Sequence, residues 1–222
     1  MNRICSLVFL IGALIQNVLA WDNPPLSHVW KAIYAQEQEI EKVGNTTNQL
    51  SAQRQRIAAV SMKSLSATPT NQLDEAVGKL SAAMYFIGEN GNMSDIPQLL
   101  QFAEIQLPPA WAGAGDVPVV IGLPVPNSDS EKRRVPACYA LAKILYRNQD
   151  RITNLVADSA TNKTLSATAT LRILGVLIDA DSIMASGYAE QIRSRFKSKQ
   201  VNEAIADLET RKMRYWNIVL SE

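Results

Sequence analysis

Few residues in this 222-residue chain can carry acid–base or nucleophilic chemistry. His28 is the only histidine, and Cys138 is the only cysteine besides Cys5 near the start of the chain. A Cys138–His28 dyad would pair a nucleophile with its base. Cys138, however, lies on the apolar spacing of a predicted helix, where a buried and inert thiol is the usual role. No GxSxG motif presents a serine. The sequence therefore predicts no catalytic residues, no cofactor and no metal site.

Two charged residues lie at sequence positions where the helical spacing predicts buried side chains. The DAD stretch at 179–181 begins like a calcium loop, but the residues after it continue a helical pattern and lack the loop glycine. Asp181 falls on the apolar spacing of that helix, and Arg54 does so on another. Two interpretations fit. Asp181 reaches solvent from the flank of its helix, or Arg54 and Asp181 form a buried polar pair that fixes helix register at some cost in stability.

The stretch PPAWAGAGDVPVVIGLPVP, residues 108–126, combines a tryptophan with small, apolar and proline residues. It either folds over the helices as a lid or contacts a partner, because monomers rarely leave such material exposed. In a partner contact, Trp111 is the expected anchor. The extended run VPVVI can add to the edge of a sheet in another chain. The predicted partner-binding residues are Trp111, Val119, Val120 and Ile121.

The first twenty residues have the pattern of a secretory signal peptide. Arg3 precedes the apolar run SLVFLIGALI, and Val18 and Ala20 supply small residues before a cleavage site. We expect cleavage after Ala20, with Trp21 as the mature N-terminus. The apolar run is too short to span a bilayer, and no later segment is apolar enough, so no transmembrane segment is expected after cleavage. The predicted location is the bacterial periplasm or the cell surface.

The charge balance argues against a nucleic-acid partner. Cleavage removes Arg3 and no acidic residue, which leaves 21 basic and 21 acidic residues of the original 22 and 21. Nucleic-acid binding needs a surplus of Lys and Arg to displace counterions. Because only Cys138 remains, no intrachain disulfide can form. A chain of about 200 residues can bury an adequate core without one, which fits a periplasmic protein better than a small disulfide-stapled extracellular domain.

The proline distribution divides the rest of the chain. All ten prolines lie between Pro24 and Pro136, and their absence afterwards permits long helices. We expect a single helical domain over residues 21–222. It comprises a long N-terminal helix over 21–65, a small helical, Pro-rich head over 66–136, and three helices over 137–222.

The N-terminal helix carries a heptad seam. Ile33 and Ile40 are seven residues apart, and Val29 and Ile57 belong to the offset position of the same seam. The GNTTN stretch at 44–48 predicts a kink or break, since glycine disfavours a helix interior. The seam continues in register beyond it, so both halves should pack on the same partner. The predicted fold class is all-α: an elongated antiparallel helical bundle with long heptad-patterned helices and a small irregular Pro-rich head.

This order of elements resembles the minor pilin subunits of type IV secretion and conjugative transfer systems. The resemblance is one of architecture. It rests on AIYAQEQEIEKVGNTTNQLSAQRQRI, on the head at 66–136, and on the last helix, QVNEAIADLETRKMRYWNIVL. It implies a periplasmic helical subunit that acts at the pilus tip in assembly and host-cell contact. The implied partners are proteins of an envelope complex, or further copies of the chain.

Three functional hypotheses follow. The first is a non-enzymatic structural or adhesive component of a bacterial envelope assembly. It is preferred because it needs only the export signal, the helical seams and the loop. The second is a periplasmic helical sensor or ligand-binding module, with a polar pocket formed by Asp181, Arg54 and Tyr188. The third is a hydrolase with no recognisable motif, whose acidic residues would be scattered.

Overall fold

The computed structural model describes residues 28–42, 45–107, 131–148, 156, 158–218 and 220. Within these residues the chain forms nine α-helices and no strand, which confirms the all-α class. The helices are α1 (His28–Lys42), α2 (Thr46–Ala58), α3 (Met62–Ala67), α4 (Thr70–Asn90), α5 (Ile96–Leu100), α6 (Pro136–Arg147), α7 (Ala167–Asp179), α8 (Ala185–Phe196) and α9 (Lys199–Glu209). Short 3-10 turns lie at Met93–Asp95, Asp158–Ala160 and Tyr215–Asn217.

The predicted N-terminal helix over 21–65 is divided in its described part into α1, α2 and α3; the division before α2 was expected, and the one before α3 was not. Asn45 begins α2, as its side chain accepts hydrogen bonds from the backbone N–H groups of Thr47 and Asn48, at 3.0 and 3.4 Å. The predicted break at 44–48 includes this residue. Ser61 caps α3 in the same manner, through the backbone N–H of Ser64. Side chains that satisfy exposed N–H groups make a new helix start more favourable than continuation.

α4 is the centre of the N-terminal half, and α1, α2, α3 and α6 all pack against it. The seam residues Val29, Ile33, Ile40 and Ile57 are buried. Both halves of the seam therefore contact one partner, as expected, but that partner lies inside the segment predicted to be a head.

Residues 70–107, predicted to belong to a small helical, Pro-rich head, are helical as expected but form part of the main core and not a separate head. With 21 residues, α4 is the longest described helix, and it contributes to the main core. A short helix was expected in this segment, but apolar residues recur at helical spacing over a longer stretch, which buries one face of α4. The buried members are Leu73, Leu80, Ala83, Met84 and Ile87.

Small residues let the helices around α4 approach closely. A Cβ atom added to Gly78 would lie 2.7 Å from the carbonyl oxygen of Val29 in α1. One added to Gly88 would lie 2.8 Å from the Cα of Ala140 in α6. Backbone atoms cannot move aside as a flexible side chain does. The two glycines thus set the distance of α4 from its neighbours on both sides.

The C-terminal half is built on α7, which packs against α6, α8, α9 and the Tyr215–Asn217 turn. Three helices were predicted over 137–222, whereas the structure has four in its described part, α6 to α9. The apolar spacing from Leu171 to Ile192 predicts one of these three helices, and it is divided because Asp181 adopts a positive φ of 50°. The N–H of Ser182 then donates to the carbonyl of Leu177 at 2.9 Å. This is the hydrogen bond of a Schellman helix end.

We predict that Gly88→Ala lowers the free energy of unfolding by about 1–3 kcal/mol, the usual penalty for overpacking a core. Helix propensity alone would favour the alanine by about 1 kcal/mol. Urea denaturation followed by circular dichroism measures the change.

The control for this substitution is Gly187→Ala in α8, where nothing lies within 4 Å of an added Cβ. That variant should be as stable as the original chain or gain up to about 1 kcal/mol. A Gly88→Ala protein that gains stability to the same degree would show that α4 and α6 are not in close contact there.

Candidate functional site

The candidate site is an open cleft of about 590 Å³ between α6, the end of α7 and the segment after α9. This volume lies in the range typical of ligand sites, about 300–1,000 Å³. Three separate parts of the chain form its walls. The lining residues are Glu131, Lys132, Tyr139, Ala142, Lys143, Tyr146, Val176, Asp179, Ala180, Arg211, Arg214, Tyr215 and Trp216.

Aromatic rings dominate the apolar part of the cleft. Tyr215 and Trp216 are largely buried and meet edge to face, with ring centroids 4.8 Å apart. The indole Nε1 of Trp216 donates to a carboxylate oxygen of Glu131 at 3.1 Å. Tyr146 is different, because 72% of its surface is exposed. The cleft thus has a rigid aromatic floor and one accessible ring.

Basic side chains border the cleft. Its lining includes four basic residues and two acidic ones, in a chain whose net charge is only +1. Arg214 binds Asp179 through an N–O distance of 2.6 Å, and Arg211 binds Asp181 at 2.5 Å. Lys143 lies 3.1 Å from a carboxylate oxygen of Glu89.

Two helix ends create this arrangement of charges. Asp181 follows α7 and Arg211 follows α9, and both have a positive φ, 50° and 56°. Each reversal ends its helix and turns the chain toward the other, so the two reversal residues form an ion pair. The side chains of this pair are 82% and 52% exposed. An ion pair so exposed contributes little to stability.

Arg172 in α7 stabilises, from the protein interior, the segment that carries Trp216. Its guanidinium is almost completely buried. Nη1 donates to the carbonyl oxygens of Ala103 and Glu104, at 3.3 and 2.8 Å, and Nη2 donates to that of Ile218 at 3.1 Å. Burial lowers the pKa of Arg172 to about 10, so the group remains protonated at neutral pH.

Gln106 extends this network to the cleft itself. Its side-chain oxygen accepts a further hydrogen bond from Arg172, and its amide nitrogen donates to the carbonyl of Trp216 at 3.2 Å. The segment after α5 and the C-terminal segment are therefore joined through a residue of α7. This interior network fixes the position of Trp216, which forms part of the cleft floor.

The predicted buried pair of Arg54 and Asp181 is wrong. Arg54 binds Asp95 with two hydrogen bonds, from Nε at 2.6 Å and from Nη2 at 2.9 Å. Asp181 ends α7, where its exposed carboxylate binds Arg211. It does not lie on an apolar seam, because the left-handed turn removes it from the helix.

The polar pocket proposed for a sensor does not form from the residues predicted for it. Tyr188 is buried, and its hydroxyl lies 2.7 Å from that of Ser159. Burial raises the pKa of Tyr188. Tyr188, Arg54 and Asp181 each bind a different partner. None of the three lines the cleft.

Cys138 has the environment of an inert thiol. It is fully buried in α6, and burial raises its pKa to about 12, against a smaller opposing effect of the nearby Arg172. A thiol with so high a pKa is almost entirely protonated at neutral pH and is a poor nucleophile. The environment of Cys138 therefore argues against a Cys138–His28 dyad.

The described residues on either side of the stretch with the predicted partner-binding residues are hydrogen-bonded to each other. The N–H of Leu107 donates to the carbonyl of Arg134 at 2.6 Å, and Nε of Arg134 donates back at 3.5 Å. Glu131 and Lys132, which line the cleft, precede Arg134 in the chain. Trp111, Val119, Val120 and Ile121 lie outside the described residues, so their role stays a prediction.

The residues that form the cleft were not singled out from the sequence. Arg172 did leave a signal, since it is the only charged residue before Asp179 in the apolar helix ATATLRILGVLID. A lone cation at such a position implies buried acceptors. Arg211, Arg214 and Trp216 gave no comparable signal. Their segment was predicted to continue the last helix, whereas α9 ends at Glu209.

Two further findings concern the described part of the chain. It contains no group of three or more His, Cys, Asp or Glu residues placed to hold a metal ion. None of its helices combines the length and apolarity needed to cross a bilayer.

No protein-family model, curated protein or solved structure matches this chain. Its function is therefore inferred from its own sequence and geometry.

We predict that Arg172→Met lowers the free energy of unfolding by about 3 kcal/mol or more. A buried charge can often be replaced by an apolar side chain, but only when its partner is replaced too. Here the partners are backbone carbonyls, and each one left unpaired costs about 1–3 kcal/mol.

Arg193→Met is the matched control, because Arg193 forms surface ion pairs with Glu190 and Glu209. Such pairs contribute about 0–1 kcal/mol. Thermal melts of the two variants compare them directly. Equal melting temperatures would show that the Arg172 network does not stabilise the fold.

We also predict that Cys138 does not react with a thiol reagent such as Ellman's reagent while the protein is folded. A Cys5→Ser variant leaves Cys138 as the only thiol. The reagent should label it only after denaturation in guanidinium chloride, because the native thiol is buried and protonated. Rapid labelling of the native protein at neutral pH would restore the possibility of a reactive cysteine.

Proposed function

We propose that this chain is a non-enzymatic, exported subunit of a bacterial envelope assembly, and that the cleft is its contact site for a partner protein. One observation carries the proposal: an open depression presents the exposed ring of Tyr146 together with Arg211 and Arg214. Tyrosine and arginine are among the residue types most enriched where binding energy concentrates at protein interfaces.

The exposed ring of Tyr146 supports the same conclusion. An aromatic side chain that is 72% exposed beside a buried aromatic pair offers apolar area that a partner can cover. Such patches on a soluble protein commonly mark interaction sites. The ion pairs around the ring supply a polar rim of the kind that surrounds the apolar centre of an interface.

Export and assembly rest on the sequence. The signal-peptide pattern of residues 1–20 supports a periplasmic or surface location. The order of elements supports a role like that of the minor pilins of type IV secretion and conjugation systems. An elongated bundle with heptad seams and a Pro-rich appendage around Trp111 belongs to this proposal. The appendage would offer a second contact beside the cleft, because Leu107 and Arg134 bring its ends there.

A second candidate function is a ligand-binding module. The volume of the cleft, about 590 Å³, favours it because a small organic molecule would fit. The two functions differ in what occupies the cleft. A photo-crosslinking amino acid in place of Tyr146 distinguishes a partner protein from a small ligand.

We predict that a photo-crosslinking amino acid at position 146 captures one defined envelope protein in intact cells of the source organism. The adduct should be stoichiometric and identifiable by mass spectrometry, because Tyr146 is the accessible ring of the cleft.

The control carries the same reagent at Asn202, an exposed residue of α9 outside the cleft. It should give no such adduct. A crosslink to the same protein from both positions, or from neither, would contradict the proposed contact site. Fractionation of the same cells gives the location, and a protein that stays in the cytoplasm would contradict export.

A further inference from the structure

The charges at the mouth of the cleft indicate what kind of partner it fits. Among the described residues, Arg211 donates a hydrogen bond only through Nη2, to Asp181. Arg214 donates only through Nη1, to Asp179. A guanidinium group presents a fork of N–H donors that matches both oxygens of a carboxylate. Each arginine therefore retains donors that a further carboxylate can use.

The present partners of these arginines are easy to displace. The side chain of Asp181 is 82% exposed and that of Arg211 is 52% exposed, and an ion pair so exposed contributes little to stability. Asp179 is held more firmly, since its side chain is 22% exposed. An incoming carboxylate can thus share or replace the Arg211 partner at little cost, while Arg214 stays in place.

The apolar part of the cleft restricts the partner further. Tyr215 and Trp216 are too buried to be covered by a ligand, so Tyr146 supplies the free ring surface. An aromatic side chain packed against Tyr146 gains a favourable interaction between the rings in addition to the apolar area it buries. The guanidinium donors that Arg211 and Arg214 retain and the accessible ring together call for a ligand that is both acidic and aromatic.

We propose that the cleft binds an acidic peptide segment of the partner protein that carries an aromatic residue. Carboxylates of the segment accept hydrogen bonds from Arg211 and Arg214, and its aromatic ring contacts Tyr146. This inference rests on the proposed function, since it names the chemistry of the partner at the same cleft.

Three capped fluorescent peptides test the inference on the full chain by fluorescence anisotropy. The first has the sequence Gly-Asp-Glu-Phe-Glu-Asp-Gly. The second replaces every acid by its amide, and the third replaces Phe by Ala. The first should bind saturably, with an affinity that falls as salt rises. The second and third should each bind about tenfold more weakly or less, which corresponds to about 1.4 kcal/mol.

Protein variants locate the binding. Arg211→Gln combined with Arg214→Gln should weaken binding of the acidic peptide by about tenfold or more, because glutamine removes the charge that strengthens these hydrogen bonds. Tyr146→Ser should remove the preference for Phe over Ala. Arg193→Gln is the matched control, because Arg193 is also a surface arginine in ion pairs but lies outside the cleft. It should bind as the original chain does. Thermal melts confirm that each variant is folded.

Several results would overturn the inference. These are equal affinity for the acidic and amide peptides, an equal loss on Arg193→Gln, or no saturable binding of any peptide. They are distinguishable from failure of the proposed function. A defined crosslink at position 146 without peptide preference would refute the acidic ligand and keep the partner site. Selective peptide binding without a crosslink would keep the ligand chemistry and refute the envelope partner.

Discussion

The buried guanidinium of Arg172 is the interaction on which the C-terminal half depends. It lies in an apolar helix and forms hydrogen bonds with backbone carbonyls from two distant segments, at Ala103–Glu104 and Ile218. A cation costs several kcal/mol to bury unless acceptors surround it. These acceptors exist only when the segment after α5 and the C-terminal segment are both in place. Folding of these three parts is therefore mutually dependent.

The N-terminal half is organised by shape rather than charge. α4 accepts α1 on one side and α6 on another because Gly78 and Gly88 occupy the contact points. α6 then meets α7, which carries Arg172. Close contact between α4 and α6 thus sets the position of Tyr139 and Tyr146 relative to the wall that Arg172 holds. The cleft lies where these two constraints meet.

Periodicity predicted the parts of this fold in which one helix face is buried. Val201, Ile205 and Leu208 lie on the buried face of α9, and Val29, Ile33 and Ile40 on that of α1. It failed where a single residue ends a helix, as at Asp181, because a left-handed turn leaves the apolar spacing unchanged. Periodicity also could not predict which charged residues form ion pairs. Arg54 meets Asp95, and the partner of a core-facing charge depends on tertiary contacts that one helix pattern does not contain. The cleft could not be predicted because its walls are separated by long stretches of chain, and it exists only through the way these stretches pack.

The floor and the rim of the cleft differ in stability. The floor, Tyr215 and Trp216, is buried and tied through Gln106 to Arg172, so it cannot rearrange without loss of core hydrogen bonds. The rim, Arg211 and Asp181, is exposed and weakly paired. A rigid floor preserves the shape of a binding site and lowers the entropy cost of binding. A labile rim lets the charges adjust to what enters, so that this half of the fold combines a fixed shape with exchangeable ion pairs.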